Sequence, residues 1–115
     1  MWLFGKRTAV IECVLTKDTS PTISAAVDLG GCELIGLILP TIITGDVTFT
    51  VCDTLAGTYV ALKAKGGTAL TITAGTGNFA VASDDLAPLA AYRFVKIVTA
   101  GTQTSNVTFK FIVKV

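Results

Sequence analysis

Apolar and polar positions alternate with a period of two through much of this chain, the spacing of a strand that buries one face. The clearest case is residues 46–53 (DVTFTVCD), where Val47, Phe49 and Val51 fall on one face and Thr48, Thr50 and Cys52 on a wetter one. Residues 8–16 (TAVIECVLT) set Ile11, Cys13 and Leu15 against Glu12, Val14 and Thr16. At the far end, residues 107–115 (VTFKFIVKV) put Val107, Phe109, Phe111, Val113 and Val115 on one face and Lys110 and Lys114 on the other. Residues 32–39 (CELIGLIL) are apolar at both parities, which predicts a central strand buried on both sides. Pro40 ends it, because proline has no N–H to give to a ladder.

Shorter runs fill the intervals. Residues 23–29 (ISAAVDL) predict one strand closed by the turn-forming pair Gly30-Gly31, and residues 58–63, 68–73 and 78–83 predict further short strands. Together with residues 46–53, the second and third of these runs read as a meander. Residues 92–99 (YRFVKIVT) and 107–115, joined by a turn at 100–106, predict a closing hairpin. Residues 84–90 (DDLAPLA) are the one segment resembling a helical turn. Seven to nine short strands without an amphipathic helix define an all-β chain, and the expected architecture is an antiparallel β-sandwich of jelly-roll type. The domain covers residues 8–115 and follows an N-terminal arm, residues 1–7.

Composition agrees with that pattern. Thr, Val and Ile make up about a third of the 115 residues, and β-branched side chains suit a pleated surface better than a helix. A chain of this length buries roughly two-thirds of its unfolded surface, enough for a core without metal or disulfide staples. Nine Lys and Arg against eight Asp and Glu leave a net charge of +1, so no nucleic-acid partner is expected. The most apolar stretch, residues 34–45, is too short to span a bilayer, and no membrane partner is expected either. In the opening MWLFGKRTAV the apolar residues precede the basic ones, the reverse of a signal peptide.

Candidate chemistry is sparse. There is no His, which removes the usual neutral-pH base and the commonest metal ligand. Cys13, Cys32 and Cys52 are odd in number and form no closely spaced ligand set, so they read as small buried hydrophobes in a reducing compartment. Asp28, Asp46 and Asp53 flank turns, where carboxylates accept hydrogen bonds from backbone amides. Asp84 and Asp85 fit a helix start better than a calcium site, which takes six to eight oxygens. Glycine-rich pieces such as Gly75-Thr76-Gly77 lack a phosphate-cradling pattern. The expectation is a protein that is not an enzyme, with no catalytic residues, no cofactor and no metal.

Phe49, Phe94, Phe109 and Phe111 lie inside strand runs and belong to the core; Tyr59 and Tyr92 remain as candidates for stacking on a sugar. The sole Trp falls outside the strand pattern, in Met1-Trp2-Leu3-Phe4-Gly5-Lys6-Arg7. These apolar residues either fold back to cap the sandwich or dock on a neighbouring subunit, with Trp and Arg as anchors.

The order of pieces from residue 23 onward, ISAAVDLGGCELIGLILP, DVTFTVCDTLAGTYVAL, APLAAYRFVKIVTAG and NVTFKFIVKV, resembles small jelly-roll β-sandwich virion proteins of tailed bacteriophages, of the capsid cement or decoration type. The motifs that carry the resemblance lie at residues 28–40, 48–62 and 92–97. The resemblance implies a virion structural protein on the head surface, made in the bacterial host cytoplasm, that stabilises the shell by bridging capsid subunits. Its partners would be the major capsid protein and itself, as a homotrimer, with Trp2, Leu3, Phe4, Lys6 and Arg7 at the interface with capsid or sister subunit. The layout is also similar to discoidin-type galactose-binding sandwiches. That likeness implies a carbohydrate- or receptor-binding module of a tail, neck or fibre protein, with glycan contacts at Tyr59, Tyr92, Asp84 and Asp85. The chain lacks the Asp-Gly-x-x-Trp turn of the longer versions and has few aromatics, which favours the structural role.

Overall fold

A computed structural model describes residues 8–17, 22–40, 46–73, 79–81, 86–99 and 101–114. The strands are β1 (Thr8–Leu15), β2 (Thr22–Ile23), β3 (Val27–Asp28), β4 (Glu33–Leu39), β5 (Val47–Cys52), β6 (Val60–Ala61), β7 (Phe79–Val81), β8 (Phe94–Thr99) and β9 (Val107–Lys114). A 3₁₀ helix spans Ala87–Ala91, with Pro88 in its first turn. All strand pairings are antiparallel, and they form two sheets. The first has the order β1-β9-β4-β7; the second has the order β2-β8-β5-β6, with β3 also on β8. The all-β expectation holds.

Alternation in the sequence becomes alternation in burial. In β9, Val107, Phe109, Phe111 and Val113 are buried, whereas Lys110 and Lys114 are exposed. Cys13 and Leu15 of β1 turn inward and Val10, Glu12 and Val14 outward. The buried apolar residues form one cluster drawn from both sheets: Leu15, Leu37, Leu39, Phe109 and Phe111 from the first, Val47, Phe49, Val95 and Ile97 from the second. Leu86 and Leu89, at the 3₁₀ segment, join it.

Several expectations are corrected. Residues 92–99 and 107–115 do not form a hairpin: β8 pairs with β2, β3 and β5, while β9 pairs with β1 and β4. Both strands carry a strong apolar face, and local alternation does not say which sheet each face completes. Nor is β4 buried on both sides. Its register on β9 shifts between Leu34 and Gly36, and the extra residue, Ile35, changes the phase of the strand. The bulge lets Leu34, Leu37 and Leu39 all reach the core, while Ile38 on the other face is 37% exposed.

Residues 23–29 are not one strand but β2 and β3, separated at residues 24–26. Residues 68–73 form only isolated bridges, Lys63 with Ala69 and Val47 with Ile72. Cys52, placed by its parity on the wetter face, is buried, because the chain turns over its thiol. A Cβ at Gly57 would stand 2.5 Å from Cys52 Sγ and from Thr54 Oγ1, so a larger residue there forces those side chains to shift. All three cysteines are free; Cys13 and Cys52 are buried and Cys32 is half-buried.

Candidate functional site

Two surfaces emerge, a cleft beside β3 and the outer face of the first sheet. The cleft, about 360 Å³, is lined by Leu29, Gly30, Gly31, Cys32, Glu33, Leu34, Ala91, Tyr92 and Arg93. Backbone pairing holds it: Leu29 N donates to Arg93 O at 2.8 Å and Cys32 N to Leu29 O at 3.0 Å. Asp28 accepts two hydrogen bonds from Arg93, Nε to Oδ1 at 2.9 Å and Nη2 to Oδ2 at 3.1 Å. Its Oδ1 also accepts Gly30 N at 2.8 Å, in a turn that needs the positive φ of Gly30, 54°. The Arg93 guanidinium holds the Asp28 carboxyl below its ordinary pKa, with the Gly30 amide adding to the effect. Asp28 thus does the turn-supporting work expected of it, and from outside the lining it already pairs the cleft's Arg93.

Of the candidate glycan contacts, only Tyr92 lines this cleft; it is 37% exposed. Tyr59 is not part of the lining. Its hydroxyl donates to the Leu55 carbonyl at 3.0 Å, and Lys96 Nζ lies 4.2 Å from the ring centroid, covering one ring face. Asp84 and Asp85 lie outside the described residues, and the cap position of the 3₁₀ segment is Leu86, with no side-chain cap. Arg93 was not singled out from the sequence. The Asp-x-Gly turn marks Asp28, but nothing in the spacing points to Arg93, 65 residues on.

The outer face of the first sheet is built in rows by strand register. Thr8 stands opposite Lys114 and Lys114 opposite Glu33; Val10 stands opposite Ile112, and Ile112 opposite Gly36. The next rows are Glu12 with Lys110 and Ile38, then Val14 with Thr108. Val10 is 54% exposed, Val14 48% and Ile38 37%, so apolar side chains lie open between rows of opposed charge. Among the described residues β1 has a strand on one edge only. Trp2, Leu3, Phe4, Lys6 and Arg7, which precede it, lie outside the described residues.

No group of three His, Cys, Asp or Glu able to hold a metal occurs among the described residues. Burial pushes the Cys13 thiol up, opposed by its hydrogen bond with Ser24. No helix among the described residues is long and apolar enough to cross a membrane. In comparisons with known proteins, no family model, no curated protein and no solved structure matches this chain.

Proposed function

We propose that this chain is a structural protein of a bacteriophage virion, a cement or decoration protein that stabilises the head shell by bridging capsid subunits, and that it performs no catalysis. The observation that carries the reading is the outer face of the first sheet, where Val10 and Val14 of β1 and Ile38 of β4 stand exposed and β1 has, among the described residues, a strand on one edge only. Apolar rows bounded by balanced charge favour covering by another protein surface. Many copies of such a modest contact would hold a shell by avidity. The jelly-roll sandwich fits this role. If β2 and β3 are one interrupted strand, the eight strands follow the order first-eighth-third-sixth in one sheet and second-seventh-fourth-fifth in the other. That order supports the two-sheet jelly roll found in viral capsid proteins and lectins. Self-association is part of the reading, threefold in the resemblance, with the major capsid protein as the other partner.

The test is occupancy on emptied or expanded tailed-phage capsid shells. Deleting residues 1–7, or replacing Val14 by Lys, should lower it; undiminished occupancy in both variants counts against the proposal. A second reading, a carbohydrate-binding module, is favoured by one observation: Tyr92 lines the cleft together with Glu33 and Arg93. A glycan array with no signal, or a signal indifferent to Tyr92→Ala, removes it.

A further inference from the structure

We propose that residues 1–7 of one copy add as an antiparallel strand to the open edge of β1 in a second copy, with Lys6 opposite Glu12, and that the exchange is reciprocal. This inference rests on the reading that the protein works through protein contacts, and it names the partner and the place. Strand β1 is eight residues long, carries no proline, and closes one side of its sheet with an edge that has no strand on it among the described residues. Natural sheets blunt, cover or pair such edges.

The outward row of β1 reads Val10, Glu12, Val14: apolar, acidic, apolar. Its internal partner β9 meets the acid with Lys110 and Val10 with Ile112. A strand laid on the other edge is favoured by a cation opposite Glu12, as on β9, and by an apolar group opposite Val14, which β9 meets only with Thr108. The segment immediately before β1 supplies both. Run antiparallel, Phe4-Gly5-Lys6-Arg7-Thr8 sets Thr8 against Val10, Lys6 against Glu12 and Phe4 against Val14. On the inner face the same register brings Leu3 to Leu15, which is fully buried, and the small Gly5 to Cys13. A slip of two residues one way puts Phe4 on Glu12; the other way leaves Glu12 facing Thr8. Only one register matches charge and apolar positions together.

The occupant has to be another copy. Residues 1–7 run directly into β1, and folding back on the same strand would use Lys6 and Arg7 as the turn. In the matched register Ala9 pairs with Ala9 of the second copy, so a twofold axis passes there and both arms are bound alike. In that register residues 3–7 cover β1 from Ile11 to Leu15, about 17 Å of edge at about 3.3 Å per residue. A reciprocal pair closes at two copies and takes the place of the threefold association implied by the resemblance.

The test is the mass of the full chain in solution, by sedimentation. The wild type should be a dimer. Lys6→Glu and Glu12→Lys, each of which opposes like charges twice per dimer, should raise the dissociation constant by roughly tenfold or more. The double variant should restore it. For register, oxidation in a Cys32→Ser background should cross-link two chains carrying Phe4→Cys and Val14→Cys, but not two carrying Phe4→Cys and Val10→Cys, the pair that parallel addition would favour. A monomer, a trimer, a charge swap without rescue, or cross-linking through position 10 overturns the proposal. Shell occupancy reads separately: a dimer that ignores capsids leaves the exchange standing, and a monomer that coats them overturns the exchange alone.

Discussion

Replacing Ser24 by Ala should destabilise the protein far more than the loss of one small surface hydroxyl would. Ser24 is 5% exposed and sits where β2 gives way to β3, at a one-residue slip in their pairing with β8. Its backbone N–H donates to the Ile97 carbonyl at 2.9 Å, and its Oγ accepts the Ile97 N–H at 2.9 Å, standing in for a ladder carbonyl. The same hydroxyl donates to the Ala25 carbonyl at 2.8 Å. In Ser24→Ala the Ile97 amide, on a residue with 0% exposure, loses its acceptor where water does not reach. An orphaned buried amide costs about 1–3 kcal/mol, so about 2 kcal/mol is expected. For a domain of this size that lowers the melting temperature by roughly 6–10 °C. Urea unfolding should move to a lower midpoint with an unchanged slope, and hydrogen exchange at the Ile97 amide should accelerate. A midpoint shift worth less than about 0.5 kcal/mol, with Ile97 still protected, would refute the argument.

Three further outcomes follow from local geometry. Gly57→Ala forces its Cβ to within 2.5 Å of Cys52 Sγ and Thr54 Oγ1 and should cost about 1–3 kcal/mol in thermal unfolding, with Cys52→Ala relieving part of that cost in a double-mutant cycle. Asp28, whose folded pKa lies below its ordinary 3.8, contributes stability that is present above that value and fades as pH falls through the depressed one. The melting-temperature gap between wild type and Asp28→Asn should therefore be open at neutral pH, close in acid, and shrink in high salt because the pair is exposed. Phe109→Ala empties a fully buried site and should cost about 3–5 kcal/mol, measured by chemical denaturation.

The sequence made some strands readable and not others, for identifiable reasons. In β5 and β9 every second residue is apolar and each strand keeps one phase, so alternation alone marked the buried side from Val47 to Val51 and from Val107 to Val113. β4 changes phase at Ile35, and a bulge is invisible to a pattern that assumes constant parity. Cys52 was misread because its cover comes from a turn five residues on, not from the strand. The largest error, a hairpin between β8 and β9, has a topological cause: the six residues from Gly101 to Asn106 suit a hairpin loop, yet each flanking strand finds its partners more than forty residues earlier. The cleft was half legible. Asp28 and Tyr92 stood out by turn position and ring, but the Arg93–Asp28 pair joins residues 65 apart, and no spacing rule links them.

The two surfaces differ in how far their polar groups are already satisfied, and that difference bears on function. In the cleft, Arg93 gives Nε and Nη2 to Asp28, and Asp28 takes the Gly30 amide as well, so a polar ligand competes with bonds the protein has already made. On the sheet face, Glu12 with Lys110 and Glu33 with Lys114 balance across the rows, while Val10, Val14 and Ile38 stay open to solvent. Covering that face removes apolar surface from water without stranding a net charge, while desolvation of the opposed Glu and Lys side chains offsets part of the gain. A balanced face also steers weakly, so its association rate should lie near the unsteered range, about 10⁵–10⁶ per molar per second, and respond little to salt. Under the proposed role, retention on a large assembly would come from the number of such contacts more than from the strength of any one.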